Sequence, residues 1–366
     1  MTLIRPQYEE FSESLPLDCG RELGHYRICY ETYGRLANDR SNALLLCHGM
    51  STDAHAMGRR TSDEPKPGWW DSAVGPGKML DTNKYFIICS NVIGGAGGST
   101  GPGSVELATG WPYGMRFPIV TIPDMVRAQT RLIDRLGIDR LHGVIGGCFG
   151  GHQAMQWGAA HGERVGKVVA ITVRSAASAY TLALWEIVRA SIRNDPAWRG
   201  GNYYGHARPV VGTGLATAIS LLQWMDSDFM QARYGRDRVR GPGPQYDFEP
   251  EYSIQRMMAR VIEADHATVD ANTFLYLTRA ADYFDLAAGQ ANLIDGLRRA
   301  GGDYLLVSYE RDARYPVAET ERLAEALRLV GRSVKHLVLS SALSHGAYLY
   351  DIAGLDREVS AFLRHE

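Results

Sequence analysis

Short apolar runs alternate with longer stretches of helical period, which predicts a mostly parallel sheet with helices on both faces. Continuous apolar runs mark buried strands at 43–47, 85–90, 141–145, 165–173, 304–308 and 334–339. Residues 26–32 (YRICYET) alternate instead, as an early antiparallel strand would. Residues 123–136 read as an amphipathic helix opened by Pro123 and stopped by Gly137, and 319–330 read the same way before Gly331. The stretch 176–291 breaks the alternation. It has helical period, many Trp and Tyr residues and a Gly241-Pro242-Gly243-Pro244 loop, but no strand pattern. It reads as a helical lid inserted into a core formed by 1–175 and 292–366.

The charge balance narrows the partners. With 39 Lys+Arg against 41 Asp+Glu, the chain has no bulk attraction for nucleic acid or anionic lipid. No apolar run reaches the roughly 18–20 residues of a membrane span, and the N-terminal MTLIRPQYEEFSESL lacks the pattern of a secretion signal. Five cysteines at no metal-ligand spacing predict neither a disulfide scaffold nor a zinc site, and free thiols fit a reducing cytoplasm.

The most specific local signal is Gly146-Gly147-Cys148-Phe149-Gly150-Gly151, where an apolar strand meets a helical stretch. This is the pattern of a nucleophile elbow with sulfur in place of the usual serine oxygen. A helix start favours a thiolate, and the Phe149 N–H would point at a developing oxyanion. The bland alternative is a buried, inert Cys among packing glycines. An elbow needs an acid and then a base later in the chain. His345, in Ser344-His345-Gly346 past the last strand, fits the base. Asp312, past the preceding strand, fits the acid, with Glu310 as the competitor; Asp303 lies at the wrong end of that strand. The second oxyanion donor falls to the Met50 N–H in the loop after ALLLC, where His48 reads as a loop-shaping residue. The stretch 94–101 is glycine-rich without GxGxxG or P-loop spacing, so it reads as a rim loop. Arg59, Arg60 and Lys66 read as a solvated loop rather than a phosphate site.

These residues and the phrases around them resemble the homoserine O-acetyltransferases and their relatives in the α/β-hydrolase superfamily. The resemblance runs through Gly68-Trp69-Trp70-Asp71, Gly75-Pro76-Gly77-Lys78, Ile88-Cys89-Ser90-Asn91-Val92, Gly98-Ser99-Thr100-Gly101-Pro102 and Phe117-Pro118. It continues through Asp270-Ala271-Asn272-Thr273-Phe274-Leu275-Tyr276 and Asp282-Tyr283-Phe284-Asp285. It implies an α/β-hydrolase fold with a helical lid, no bound cofactor and a homodimer formed through the lid. It also implies ping-pong transfer of an acetyl or other short acyl group, with acetyl-CoA or a related acyl thioester as co-substrate. Cys148, His345 and Asp312 would carry the reaction. Ile219, Gly346 and Tyr276 would line the substrate.

Three departures from the family pattern shape the expectation. The nucleophile is Cys148 where the family normally has Ser. Gly346 follows the base where the family has an Asp that holds the acceptor's ammonium. Ile219 stands where the family carries an Arg that grips the acceptor's carboxylate. Each missing charge-assisted contact is worth roughly 1.5–3 kcal/mol, so the expected acceptor is a hydroxyl or amine compound other than homoserine. A hydrolase using the same three residues, of thioesterase, esterase or amidase type, is the competing expectation.

Overall fold

The computed structural model describes residues 3–264 and 269–364. Its centre is an eight-stranded sheet: β1 (Gln7–Phe11), β2 (Tyr26–Tyr33), β3 (Ala43–Cys47), β4 (Phe86–Ser90), β5 (Leu141–Gly147), β6 (Val165–Ile171), β7 (Asp303–Tyr309) and β8 (Val334–Leu339). The spatial order is β1-β2-β4-β3-β5-β6-β7-β8. β2 runs antiparallel to both β1 and β4, and from β4 to β8 all pairings are parallel. The expected strands are present. β1 was not expected, because this edge strand (QYEEF) buries only Phe11 fully and shows no apolar run.

Alternate residues of each central strand face opposite layers. Leu45, Val144, Val168 and Leu306 join Trp157, Phe149 and Met125 on one face. Leu44, Ile145, Val169 and Leu305 join Trp70, Tyr348, Leu355 and Val359 on the other. Both faces being buried explains why these strands read as continuous apolar runs rather than alternating ones. The flanking helices include α1 (Ile122–Arg135) and α2 (Phe149–Ala160). α1 starts where the sequence says it should: Thr121 and Asp124 form a reciprocal capping box, with Pro123 in the first turn.

Between β6 and β7 the chain leaves the sheet and builds α3 (Ala179–Arg193), α4 (Val210–Leu222), α5 (Ser227–Tyr234), α6 (Ser253–Glu263) and α7 (Ala271–Asp282). The neck of this insertion is stitched by a bridge between Ala176 and Asp285, with Leu286 N donating to Ser175 O at 2.9 Å. α3 packs on α4 and α7, and α4 packs on α6, around Trp185, Val188, Ile192, Tyr203, Ala216 and Leu275. α8 (Val317–Leu329) and α9 (Ala353–Arg364) complete the core. No helix among the described residues is long and apolar enough to cross a membrane.

Tyr276 corrects one expectation. It is not a substrate-lining residue: its ring packs edge-on against Phe117 at 5.5 Å, and its hydroxyl donates to Phe117 O at 2.6 Å. Aromatic bulk plus one satisfied hydroxyl makes it a clamp between α7 and the loop before α1. Tyr276→Phe should therefore cost about 0.5–1.5 kcal/mol of stability in denaturant unfolding and leave turnover unchanged; a fall in kcat at unchanged stability would return Tyr276 to the site.

Candidate active site

Cys148 sits at the junction of β5 and α2 with φ 55° and ψ −119°, a backbone conformation that a non-glycine residue holds only under constraint. The constraint is visible. Cys148 N donates to Ile171 O at 2.9 Å, and His152 N donates to Cys148 O at 3.1 Å. The turn is also tight: a Cβ added to Gly150 would lie 2.1 Å from Cys47 O, and one on Gly146 would lie 2.2 Å from Gly150 O. The glycine spacing seen in the sequence is thus a requirement for bringing β3, β5 and α2 together at one point.

Around the sulfur, three loops at the same end of the sheet converge. The loop after β7 supplies Asp312, and the short turn Ser344–Gly346 after β8 supplies His345. His345 Nδ1 lies 2.8 Å from Asp312 Oδ2, with both side chains fully buried. The second oxygen, Asp312 Oδ1, accepts from Arg314 N and Tyr315 N, each at 2.9 Å. Ser344 Oγ donates to Arg311 O at 2.6 Å and ties the two loops together. The competitor Glu310 points into solvent, and Asp303 starts β7 at the far end. The buried Nε2 of His345 has no well-formed hydrogen bond, which leaves it available to the sulfur.

Two backbone N–H groups were expected to serve this side of the site. Phe149 is the first residue of α2, so its N–H has no helical acceptor. The Met50 N–H makes no protein hydrogen bond among the described residues. Its direction is set by the neighbouring peptide oxygen. Gly49 O accepts from His48 Nδ1 at 2.7 Å and from Thr52 Oγ1 at 3.2 Å, so the N–H of the same trans peptide turns the other way. Val92 N donates to His48 Nε2 at 3.1 Å, which fixes the ring's proton on Nδ1. His48 therefore shapes this loop, as the sequence indicates.

The site holds a charge that sequence reasoning missed. Arg314 is buried, and its Nη1 lies 3.9 Å from Cys148 Sγ. Its other contacts are neutral: Gln223 Oε1 at 3.0 Å, Ser220 O at 3.4 Å and the Trp185 ring at 5.2 Å. Tyr315 OH lies 4.0 Å from the same sulfur. The signal was the spacing Asp-x-Arg-Tyr just after the acid, but Arg is usually exposed and nothing local marks this one as buried. Burial pushes the Cys148 thiol up. The charge and hydrogen bonding of His345, then of Arg314, together bring it down to about 7. Burial pulls His345 down, and the charges of Asp312 and Cys148 raise it to about 9. Each group thus favours the charged form of the other.

Ile219 packs against the Trp185 cluster of the insertion. Gly346 is covered by Trp224, whose Cε3 would lie 3.2 Å from a Cβ placed there. The Trp224 ring also meets His345 edge-on at 5.5 Å. Arg60 of the basic loop is spent on Glu31, with Nε 2.7 Å from Oε1. Among the described residues, no group of three His, Cys, Asp or Glu side chains is arranged to hold a metal ion.

A family model described as the α/β-hydrolase fold matches residues 42–246. The chain is 38% identical to a homoserine O-acetyltransferase of Methanosalsum zhilinae over 99% of its own length and 73% of the relative's. It is 39% identical to a homoserine O-succinyltransferase of Halothiobacillus neapolitanus over 99% of its length and 90% of the relative's. Among solved structures it resembles a homoserine O-acetyltransferase from Bacillus anthracis, with TM-score 0.91, 29% identity and coverage of 100% and 99% of the two chains. Esterase E22 is also similar, with TM-score 0.89, 26% identity and coverage of 99% and 100%. Sheet order, the strained turn at Cys148 and full-length similarity agree: the chain is a member of the homoserine O-acyltransferase family, within the α/β-hydrolase fold.

Proposed function

We propose that this protein moves a short acyl group from a CoA-type thioester, through an acyl-Cys148 intermediate, to a hydroxyl or amine acceptor other than homoserine. The observation that carries the reading is the buried His345–Asp312 pair beside the strained turn that holds Cys148, with His345 Nε2 committed to no other protein group. The Cys148 thiolate attacks the donor carbonyl, and the Met50 and Phe149 N–H groups receive the oxyanion. Collapse expels the CoA thiolate, which takes its proton from the His345 imidazolium. The acceptor then loses its proton to His345 and attacks the acyl-enzyme, and Cys148 leaves as thiolate. Exchange of one thioester for another is nearly balanced, so a sulfur nucleophile suits a thioester donor. No bound cofactor is required.

The acceptor reading follows from Ile219, Gly346 and Trp224. Neither end of an amino acid finds a charge at these positions, and the indole occupies the space above Gly346. Arg314 addresses the acyl end. A buried guanidinium with only neutral partners besides the nucleophile suits an acyl chain that ends in a carboxylate, and the relatives include named homoserine O-succinyltransferases. The helical insertion serves as the lid over this site. Ile187, Val211, Leu215 and Leu222 leave apolar side chains exposed on α3 and α4, which supports a homodimer through the lid. The reducing cytoplasm is where such a thiol stays active. A hydrolase is the second reading, favoured by the likeness to esterase E22 and by the missing acceptor charges.

Intact-protein mass spectrometry after brief mixing with acetyl-CoA or succinyl-CoA should show a one-acyl adduct on the native chain and none on Cys148→Ala. An adduct that persists until an acceptor is added supports transfer; steady CoA release without one supports hydrolysis. Arg314→Leu should slow acylation by succinyl-CoA roughly 10- to 150-fold, the size of a charge-assisted hydrogen bond, while acetyl-CoA is affected less. Equal losses with both donors would remove Arg314 from acyl recognition.

The pH dependence should follow the pair. The acylation rate is expected to rise as Cys148 ionises around 7 and to fall as His345 loses its proton around 9. A pH profile flat across that range would contradict the ion-pair mechanism. Analytical ultracentrifugation should find a dimer that Leu215→Glu and Leu222→Glu disperse.

A further inference from the structure

The reading of Cys148 as nucleophile leaves one buried charge without a task. Arg174 follows β6 and is 2% exposed, yet it has no carboxylate partner among the described residues. Nη2 donates to Arg314 O, while Nε and Nη1 have no hydrogen-bond partner. Its guanidinium carbon sits 4.6 Å from the centre of the Tyr315 ring. An unpaired buried cation is expensive, and a ring face with one carbonyl compensates it only in part.

The field falls on Tyr315, whose hydroxyl lies 4.0 Å from Cys148 Sγ. A cation over the ring face withdraws electron density and makes the O–H a stronger donor to a thiolate, whereas a Cys148 thiol donates to the Tyr315 oxygen. The same Arg174 fixes the carbonyl of Arg314, the residue whose guanidinium reaches the sulfur from another direction. We infer that Arg174 is a positioning residue that holds Cys148 in its thiolate form through Tyr315, and sets the loop that carries Asp312 and Arg314. This rests on Cys148 being the nucleophile.

The other groups around the sulfur do not duplicate this role. His345 with Asp312 supplies the proton acceptor, and Arg314 the direct charge contact. Tyr348, packed against His345, is pushed well above its ordinary range by burial and stays neutral. His152 stacks on Phe284 at 4.4 Å and meets Tyr315 edge-on at 5.5 Å. Burial, and then the Arg174 charge, pull it down to about 3, so it too is neutral. Arg174 is the one cation among them that acts from behind the Tyr315 ring.

The test is the pH dependence of Cys148 alkylation by iodoacetamide in the full chain, mapped by peptide mass spectrometry to separate Cys148 from the other thiols. Arg174→Met should raise the midpoint by about one pH unit, leaving about tenfold less thiolate below it. Tyr315→Phe should shift it similarly, the double variant should shift it no further than either single one, and Arg174→Lys should restore part of the effect. Unchanged midpoints in Tyr315→Phe, or shifts that simply add, would overturn the inference, and Tyr315→Phe tests it even if Arg174→Met does not fold. A midpoint that stays put in Arg174→Met while turnover falls would reduce Arg174 to a structural prop. A Cys148 that does not alkylate at all would instead defeat the reading of Cys148 as nucleophile.

Discussion

The site depends on one buried carboxylate. Asp312 has one oxygen on His345 Nδ1 and the other on two backbone N–H groups of its own loop. The first contact fixes the tautomer and direction of the imidazole. The second folds the loop back so that Arg314 and Tyr315, the next residues but one and two, turn toward the same sulfur. A buried carboxylate is costly unless its lone pairs are filled, and here filling them also places three further side chains. The Asp312 loop is therefore the scaffold of the candidate site.

Electrostatics at Cys148 come from a contest with burial. Desolvation opposes a thiolate at a position 6% exposed. Two nearby cations, one titratable and one permanent, together outweigh it. His345 provides a charge that can leave, because an imidazolium can give up its proton. Arg314 provides one that cannot. The strained turn at Cys148 presents the sulfur to both, at the start of a helix whose backbone donors add to the same positive potential.

The acceptor side shows the same logic in reverse. At the two positions expected to meet the acceptor, this chain has an aliphatic side chain at Ile219 and an indole over Gly346. These changes fit together physically: once the residue after His345 has no side chain, Trp224 can lie against that backbone and against the His345 ring.

Much of this was legible in the chain itself. Strands buried on both faces write themselves as apolar runs, so the central sheet could be read directly, whereas the edge strand β1, with Phe11 alone fully buried, could not. The Gly-x-Cys-x-Gly turn was legible because its glycines answer a local steric demand between consecutive elements. Asp312 and His345 followed from their order behind successive strands. Tertiary structure alone decided the rest. Tyr276 looked like a site residue because it lies in a family-like phrase, but packing spends its hydroxyl on a loop more than 100 residues away. Arg314 and Arg174 drew no reading from the sequence, because a sequence records residue type and not burial. The helical insertion covers Arg314 through Gln223, Ser220 and Trp185, the Tyr315 ring and the Arg314 carbonyl cover Arg174, and a charge acquires its chemical role from the water it loses and the partners it keeps.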